Sequence, residues 1–214
     1  ALQTEGVLDL DEEQRLSARL TVVPMRGWKR SMRWHETGLR WRATSPYIQD
    51  MSTVEGYPIT GLGCILGDWT HGVGREHPFR GIAYRGKRAD DLVHELSELR
   101  IPGLGFRKIE VPGKDGKPRH GTVVEIVDWE ALRPTELSFH MMRLACAWSG
   151  RNPFRTASKV QTQSFNRHVG SSAWWEALRR HGARVDVVTF VEQWQREAAA
   201  FRERSREIWL YPES

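Results

Sequence analysis

Between Phe79 and Trp148 the hydrophobic period alternates between that of a strand and that of a helix, and the order of those segments constrains the fold more than any other feature. Phe79–Tyr84 reads as a short strand. Arg88–Leu99 places Leu92, Val93, Leu96 and Leu99 on one helical face, and Pro102-Gly103 stops it. Phe106–Val111 alternates as a strand, Gly113–Gly116 (GKDG) is a hairpin turn, and Thr122–Val127 is the returning strand. A second helix begins near Pro134, which suits a first helical position because its missing N–H would have no partner there. Its face is Leu137, Met141, Leu144, Ala145 and Trp148. Strand–helix–strand–strand–helix is the order of a ferredoxin-like split βαβ unit. The predicted class is therefore α+β, a ferredoxin-like split βαβ sheet core with additional C-terminal helices.

The flanks add elements to that core. Leu20–Pro24 (LTVVP) is a β-branched run that reads as a strand able to join the sheet, and residues 1–16 read as the tail of an earlier element with a short polar helix around Asp11–Arg15. Ser45-Pro46 and Tyr57-Pro58 read as boundaries, because the residue before a proline is pushed away from the α region. Ser164–His168 is a short helix ending near Gly170, Ser171 or Ser172 caps Ala173–His181, and Gly182 follows it. Asp186 caps a long helix with Val187, Phe190, Val191, Trp194, Ala198 and Phe201 on one face. The terminal Ile208–Tyr211 is too apolar for a free tail and is expected to pack back.

Tyr57–Phe79 reads poorly as helix or strand. Glycines at 61, 63, 67, 72 and 74 punctuate it, and it carries Asp68, Trp69, His71, Arg75, Glu76 and His77. A polar, glycine-rich loop between ordered elements is either a connector or the place where binding occurs. A second candidate is the strip Arg26–Arg42, where Arg26, Lys29, Arg30, Arg33, Arg40 and Arg42 face one acid, Glu36, with Trp28, Trp34 and Trp41 interleaved. It supplies much of the net charge of +5. Such a strip suits an anionic partner, a nucleic acid or an anionic glycan, or else a solvated edge whose tryptophans are core.

The remaining composition narrows the chemistry. No run approaches the ~20 apolar residues of a membrane span, and no signal peptide is visible. The chain begins ALQTEG without Met and reads as a piece of something longer. Cys64 and Cys146 lack metal-ligand spacing and read as free thiols, with a disulfide as the alternative. Asp68, His71, Glu76 and His77 come nearest to a metal set but match no standard spacing, so neither metal nor cofactor is expected. Glycoside hydrolysis needs two carboxylates flanking the scissile bond, and Asp68 and Glu76 are the acids of the glycine-rich stretch. Asp128 is expected to cap a turn.

LTVVPMRGWKRSM (20–32), ETGLRW (36–41), Ser45-Pro46, Tyr57-Pro58, GVGREHPF (72–79), ADDL (89–92), PGLGFRKIEVP (102–112) and WLY (209–211) together resemble the second half of the NamZ-type exo-β-N-acetylmuramidases. These bacterial enzymes trim N-acetylmuramic acid from peptidoglycan ends and were long a family of unknown function. The Trp28–Trp41 block is the most specific part. Two motifs depart from the family pattern. Thr44-Ser45-Pro46-Tyr47-Ile48-Gln49 stands where the family has Pro-Ser-Pro-Asn-Met-Pro, so Tyr47 replaces Asn. Ile65 to Gly74 stands where the family has Glu-Gly-Thr-Asn-Leu-Ser-Glu-Gly-Arg-Gly, which puts Asp68 at the Asn, Thr70 at the Ser, His71 at the second Glu and Val73 at the Arg.

The resemblance implies that residues 1–214 form the C-terminal, substrate-binding domain of a two-domain hydrolase, whose N-terminal Rossmann-like domain holds the catalytic acid and is absent here. It implies one wall of a cleft for a cell-wall glycan or muropeptide, lined by Trp28, Arg30, Trp41, Ser45, Tyr47, Asp68, Thr70, His71 and Arg75. Asp68 and His71 would have supporting roles in catalysis, and the location would be extracytoplasmic. The alternatives are a non-catalytic glycan-binding module of the same lineage and a basic nucleic-acid-binding protein.

Overall fold

The computed structural model describes residues 21–74, 77–113 and 116–211. The chain divides into two units, Trp41–Gln193 and a smaller one formed by Ala1–Arg40 with Trp194–Ser214.

The larger unit is built on a four-stranded antiparallel sheet of β1 (Trp69–His71), β2 (Gly81–Tyr84), β3 (Leu104–Pro112) and β4 (Pro118–Ile126), in the order β1-β2-β4-β3. β3 and β4 form a hairpin in register from Leu104↔Ile126 to Pro112↔Pro118. Helix α2 (Ala89–Ser97) connects β2 to β3, and β4 lies between those two strands. This is the split βαβ that the segment order predicts. β1, at the edge beside β2, was not legible in the glycine-rich stretch.

One sheet face carries the core. Trp69, Ile82, Tyr84 and Val124 pack with Leu92 and Leu96 of α2 and with Leu137, Met141, Leu144 and Ala145 of α3 (Glu136–Trp148). Each such side chain fully buried stabilises by roughly 1.5–3 kcal/mol. Two polar groups reaching this layer are matched: the Trp69 indole donates to the Met141 carbonyl at 2.8 Å, and the Ser138 hydroxyl accepts from Gly63 N–H and donates to the Ile59 carbonyl. Trp69, Tyr84 and Trp148 form an aromatic cluster with centroids 5.0–5.3 Å apart. α3 begins at Glu136, two residues after the proline expected to start it.

Helix α1 (Met51–Thr60) stands where Tyr57-Pro58 read as a boundary. The Asp50 carboxylate caps it by accepting from Thr53 N–H at 2.7 Å. Pro58 lies inside and cannot donate to the turn before it. Burial of Thr53, Gly56, Ile59 and Thr60 holds the helix instead.

The rest of the larger unit is helical: α4 (Pro153–Thr156), α5 (Lys159–Val169), α6 (Ser172–His181) and the first turns of α7 (Val187–Ser205). Ser158 and Gln161 form a capping box on α5, which starts earlier than its sequence period suggests and ends at Gly170 in the left-handed conformation. Ser171 caps α6, and Gly182 follows it. Phe154, Phe165 and Trp175 are buried against one another. The Asp186 carboxylate accepts from Thr189 N–H as expected of a cap. The predicted face of α7 is buried at Val187 and Val191, whereas Ala198 and Phe201 are exposed.

In the smaller unit, Thr21–Pro24 form no strand and Val23 is exposed; Leu20 and the proposed helix at 11–15 lie outside the described residues. A β-branched run becomes a strand only where a pleated, half-buried surface receives it. Of Ile208–Tyr211, expected to pack back, Trp209 and Tyr211 do so, whereas Ile208 and Leu210 are exposed. The Tyr211 ring meets Trp28 edge-on at 4.7 Å, and its hydroxyl accepts from Met25 N–H. No described helix is long and apolar enough to cross a membrane.

Candidate functional site

The glycine-rich stretch folds into β1 and a return loop, and this loop forms half of a cavity. Val73 N–H donates to the Gly81 carbonyl at 2.9 Å and Gly81 N–H to the His77 carbonyl at 2.7 Å, closing the loop on β2. The side chain of Val73 lies against Gly121, where an added Cβ would come within 2.8 Å of it. A Cβ on Gly81 would come within 2.1 Å of the Val73 carbonyl oxygen. The two glycines thus make the notch that seats the loop.

The cavity, about 510 Å³, is lined from the loop by His71, Gly72, Pro78 and Phe79, from the turn at 45–48 by Ser45, Tyr47 and Ile48, and from the last turn of α1 by Tyr57. Its walls are mainly apolar and aromatic. Phe79 is central: its ring stacks on the His71 imidazole (centroids 4.2 Å apart, planes 19° apart) and receives the Tyr57 ring edge-on at 5.0 Å. Its carbonyl accepts from the Thr60 hydroxyl. Tyr47 is 79% exposed and Tyr57 47%. The Tyr47 turn is fixed by Tyr47 N–H donating to the Ser45 hydroxyl at 3.1 Å and by the Gln49 amide donating to the Pro46 carbonyl at 2.7 Å. Partial burial lowers the His71 pKa below 6.5, so at neutral pH the ring is uncharged and offers one donor and one acceptor.

Of the residues expected at a site, the structure brings together Ser45, Tyr47 and His71. Strand alternation separates their neighbours. Trp69 faces the core, so Thr70 points to the opposite sheet face, where its hydroxyl lies 3.4 Å from the Ala83 carbonyl. Asp68 is ion-paired with Arg85 at 2.7 Å and does not line the cavity. Trp41 is half-buried and also outside the lining. Trp28 and Arg30 belong to the smaller unit, and Arg75, with Glu76, lies outside the described residues. Tyr57 and Phe79 were missed as site residues; the aromatic rings that close both ends of the stretch were the available signal.

Among the described residues no carboxylate lines the cavity, and no group of three His, Cys, Asp or Glu could hold a metal ion. Cys64 and Cys146 are free thiols, and burial pushes both pKa values up to about 12, so neither is a ready nucleophile. The Asp128 carboxylate accepts from Glu130 and Ala131 N–H, the turn-capping role expected of it. The lining is suited to holding an uncharged or weakly polar ring against aromatic faces.

Comparison with known proteins gives the chain a lineage. Against a DUF1343 family protein from Bacteroides fragilis NCTC 9343, whose crystal structure is known, the chain superposes with a TM-score of 0.77 at 31% identity, covering 97% of this chain and 55% of that one. The peptidoglycan β-N-acetylmuramidase NamZ of Bacillus subtilis (strain 168) is 35% identical over 98 residues, which are 45% of this chain and 23% of that protein. The chain thus spans about half the solved relative and aligns with less than a quarter of the Bacillus protein. Residues 5–52 match the family model "Exo-beta-N-acetylmuramidase NamZ, N-terminal". The expectation that the N-terminal domain is a missing partner is therefore not supported, because sequence of that kind is present at the start of the chain. Residues 56–211, most of the chain, match "Exo-beta-N-acetylmuramidase NamZ, C-terminal", and the chain belongs to the NamZ exo-β-N-acetylmuramidase family.

Proposed function

We propose that this chain supplies one wall of the glycan cleft of a peptidoglycan-directed β-N-acetylmuramidase, with the cavity beneath Tyr47 receiving a sugar ring. The observation that carries the reading is the pairing of two exposed tyrosines, Tyr47 and Tyr57, with the His71–Phe79 stack around about 510 Å³. Aromatic faces bind the apolar faces of pyranose rings, and neutral His71 and the tyrosine hydroxyls can hydrogen-bond sugar hydroxyls. In this reading the residues lining the cavity bind and orient, and the general acid comes from another part of the protein. An extracytoplasmic location follows from such a substrate, and fractionation of the producing cell tests it.

The test is titration of the chain with β-glycosides of N-acetylmuramic acid. Tyr57→Ala and Tyr47→Ala should each weaken binding by about 1–2 kcal/mol, roughly tenfold, with unchanged circular dichroism. Equal affinity in both variants would remove the cavity from the function. The second reading, a glycan-binding module without chemistry, is favoured by the lack of a carboxylate among the described lining residues. Binding without release of muramic acid by the longest natural form of the protein would support it.

A further inference from the structure

β3 runs for nine residues along one edge of the sheet, and among the described residues no strand pairs with its outer side. The register with β4 fixes which of its backbone groups face outward. Val124 N–H donates to the Arg80 carbonyl at 2.9 Å, so the even residues of β4 turn to β2 and its odd residues to β3. Gly113 N–H donates to the Lys117 carbonyl at 2.9 Å, which continues the same ladder. By antiparallel alternation the odd residues of β3 bond to β4, and Phe106, Lys108 and Glu110 direct N–H and C=O away from the sheet. No turn, loop or side chain among the described residues bonds to these groups. Open edges are usually blunted by proline, bulges or charges. β3 has its proline only at the last position, Pro112, and its pairing with β4 is unbroken from Leu104 on. Its charges are of both signs. Lys108 and Glu110 stand two residues apart on one face and stay largely exposed beside Asp90 at 2.8 Å and His120 at 3.4 Å.

We propose that β3 pairs antiparallel with β3 of a second copy of this chain, about a two-fold axis at Ile109. Such self-pairing is symmetric, and the residue on the axis decides what stands opposite what. An axis at Arg107, Lys108 or Glu110 sets two like charges directly against each other, which destabilises the pair. An axis at Ile109 sets Lys108 opposite the second copy's Glu110, and Glu110 opposite the second copy's Lys108. Phe106 then stands opposite the second copy's Pro112 on the same face. The outward groups of Phe106, Lys108 and Glu110 all find partners, about six bonds in total, with Pro112 supplying only its carbonyl. β1, which carries His71, is the opposite edge of the sheet, so both of the cavities described above stay open. The two β1 strands lie roughly 33 Å apart across the joined sheet. For a ligand of repeating units, two such cavities raise avidity without a new contact. That consequence rests on the reading of the His71 cavity; the pairing itself does not.

Sedimentation equilibrium of the 214-residue chain over a roughly hundredfold range of concentration is the test. The mass should rise from 24.7 kDa toward twice that value. Lys108→Glu and Glu110→Lys each put like charges opposite one another on both sides of the axis. Each should weaken self-association roughly tenfold at unchanged Tm. An equimolar mixture of the two variants should recover it, because each carries the charge that the other needs. Mixing cannot repair the Lys108–Asp90 bond within one chain, so recovery separates pairing between copies from a local defect. Amide exchange at Phe106, Lys108 and Glu110 should slow roughly tenfold between dilute and concentrated protein. A monomer at every concentration overturns the proposal and leaves the edge to a strand from another protein. So does a dimer that both variants form as tightly as the parent, one that mixing fails to restore, or unaltered exchange at those three amides.

Discussion

Phe79 adopts φ 60°, in the left-handed region that a side chain other than glycine occupies at a cost of roughly 1–2 kcal/mol. The bond from the Thr60 hydroxyl to its carbonyl and the burial of its ring between His71 and Tyr57 offset that cost. The same residue joins α1 to the return loop, so the cavity's shape depends on how the loop is seated. Gly81 sets that seat. Gly81→Ala would place a methyl group 2.1 Å from the Val73 carbonyl oxygen, and backbone must move to relieve it. The expected loss is about 2–3 kcal/mol of stability, read by urea denaturation, with weaker glycoside binding because His71 and Phe79 are displaced together. A variant as stable and as tightly binding as the parent would show that the loop is seated elsewhere.

At the level of elements, α1 is the piece whose existence owes least to its own sequence. It holds a proline and a glycine, and its cap therefore carries more weight than usual. Asp50→Ala removes the acceptor for both Thr53 N–H and the Thr53 hydroxyl. It should cost about 1 kcal/mol, visible as a lower urea midpoint, with Asp50→Ser recovering most of it. The same helix shows what could be read in advance. The α2, β3–β4, α3 and α6 segments were legible because their periods and end signals agree. α1 was not, since Tyr57-Pro58 signals a boundary that burial of Ile59 and Thr60 overrides. β1 was hidden for a related reason. Three residues are too short for an alternation pattern, yet the strand decides which side chains reach the cavity. Had Trp69–His71 been recognised as a strand with Trp69 inward, period-two alternation would have put His71 on the cavity side and Thr70 on the other. Asp68 was misplaced because its partner, Arg85, is brought to it by the pairing of β1 with β2, which no local signal announces.

For the whole molecule, pH is the variable that reports on burial. His140 in α3 is buried, and desolvation, helped by the nearby Arg143 charge, lowers its pKa from 6.5 to about 4. The Glu136 carboxylate, 4.0 Å away and itself 3.4 Å from Arg133, works in the other direction and tempers the effect. A depressed histidine pKa means that the unfolded chain takes up a proton while the folded one does not. Stability should therefore fall as pH drops below about 6.5 and level off near 4, where the folded protein protonates as well. At ~1.4 kcal/mol per unit, and allowing for Glu136, the loss attributable to His140 is on the order of 2 kcal/mol. His71 shifts in the same direction but is exposed enough to add little. Carboxylates titrate in the lower part of this window, so the informative quantity is the difference between parent and His140→Gln in the same buffers. Urea melts from pH 7.5 to 4.5 should show the parent losing about 2 kcal/mol more than the variant. Parallel curves would mean that His140 is solvated in solution rather than buried.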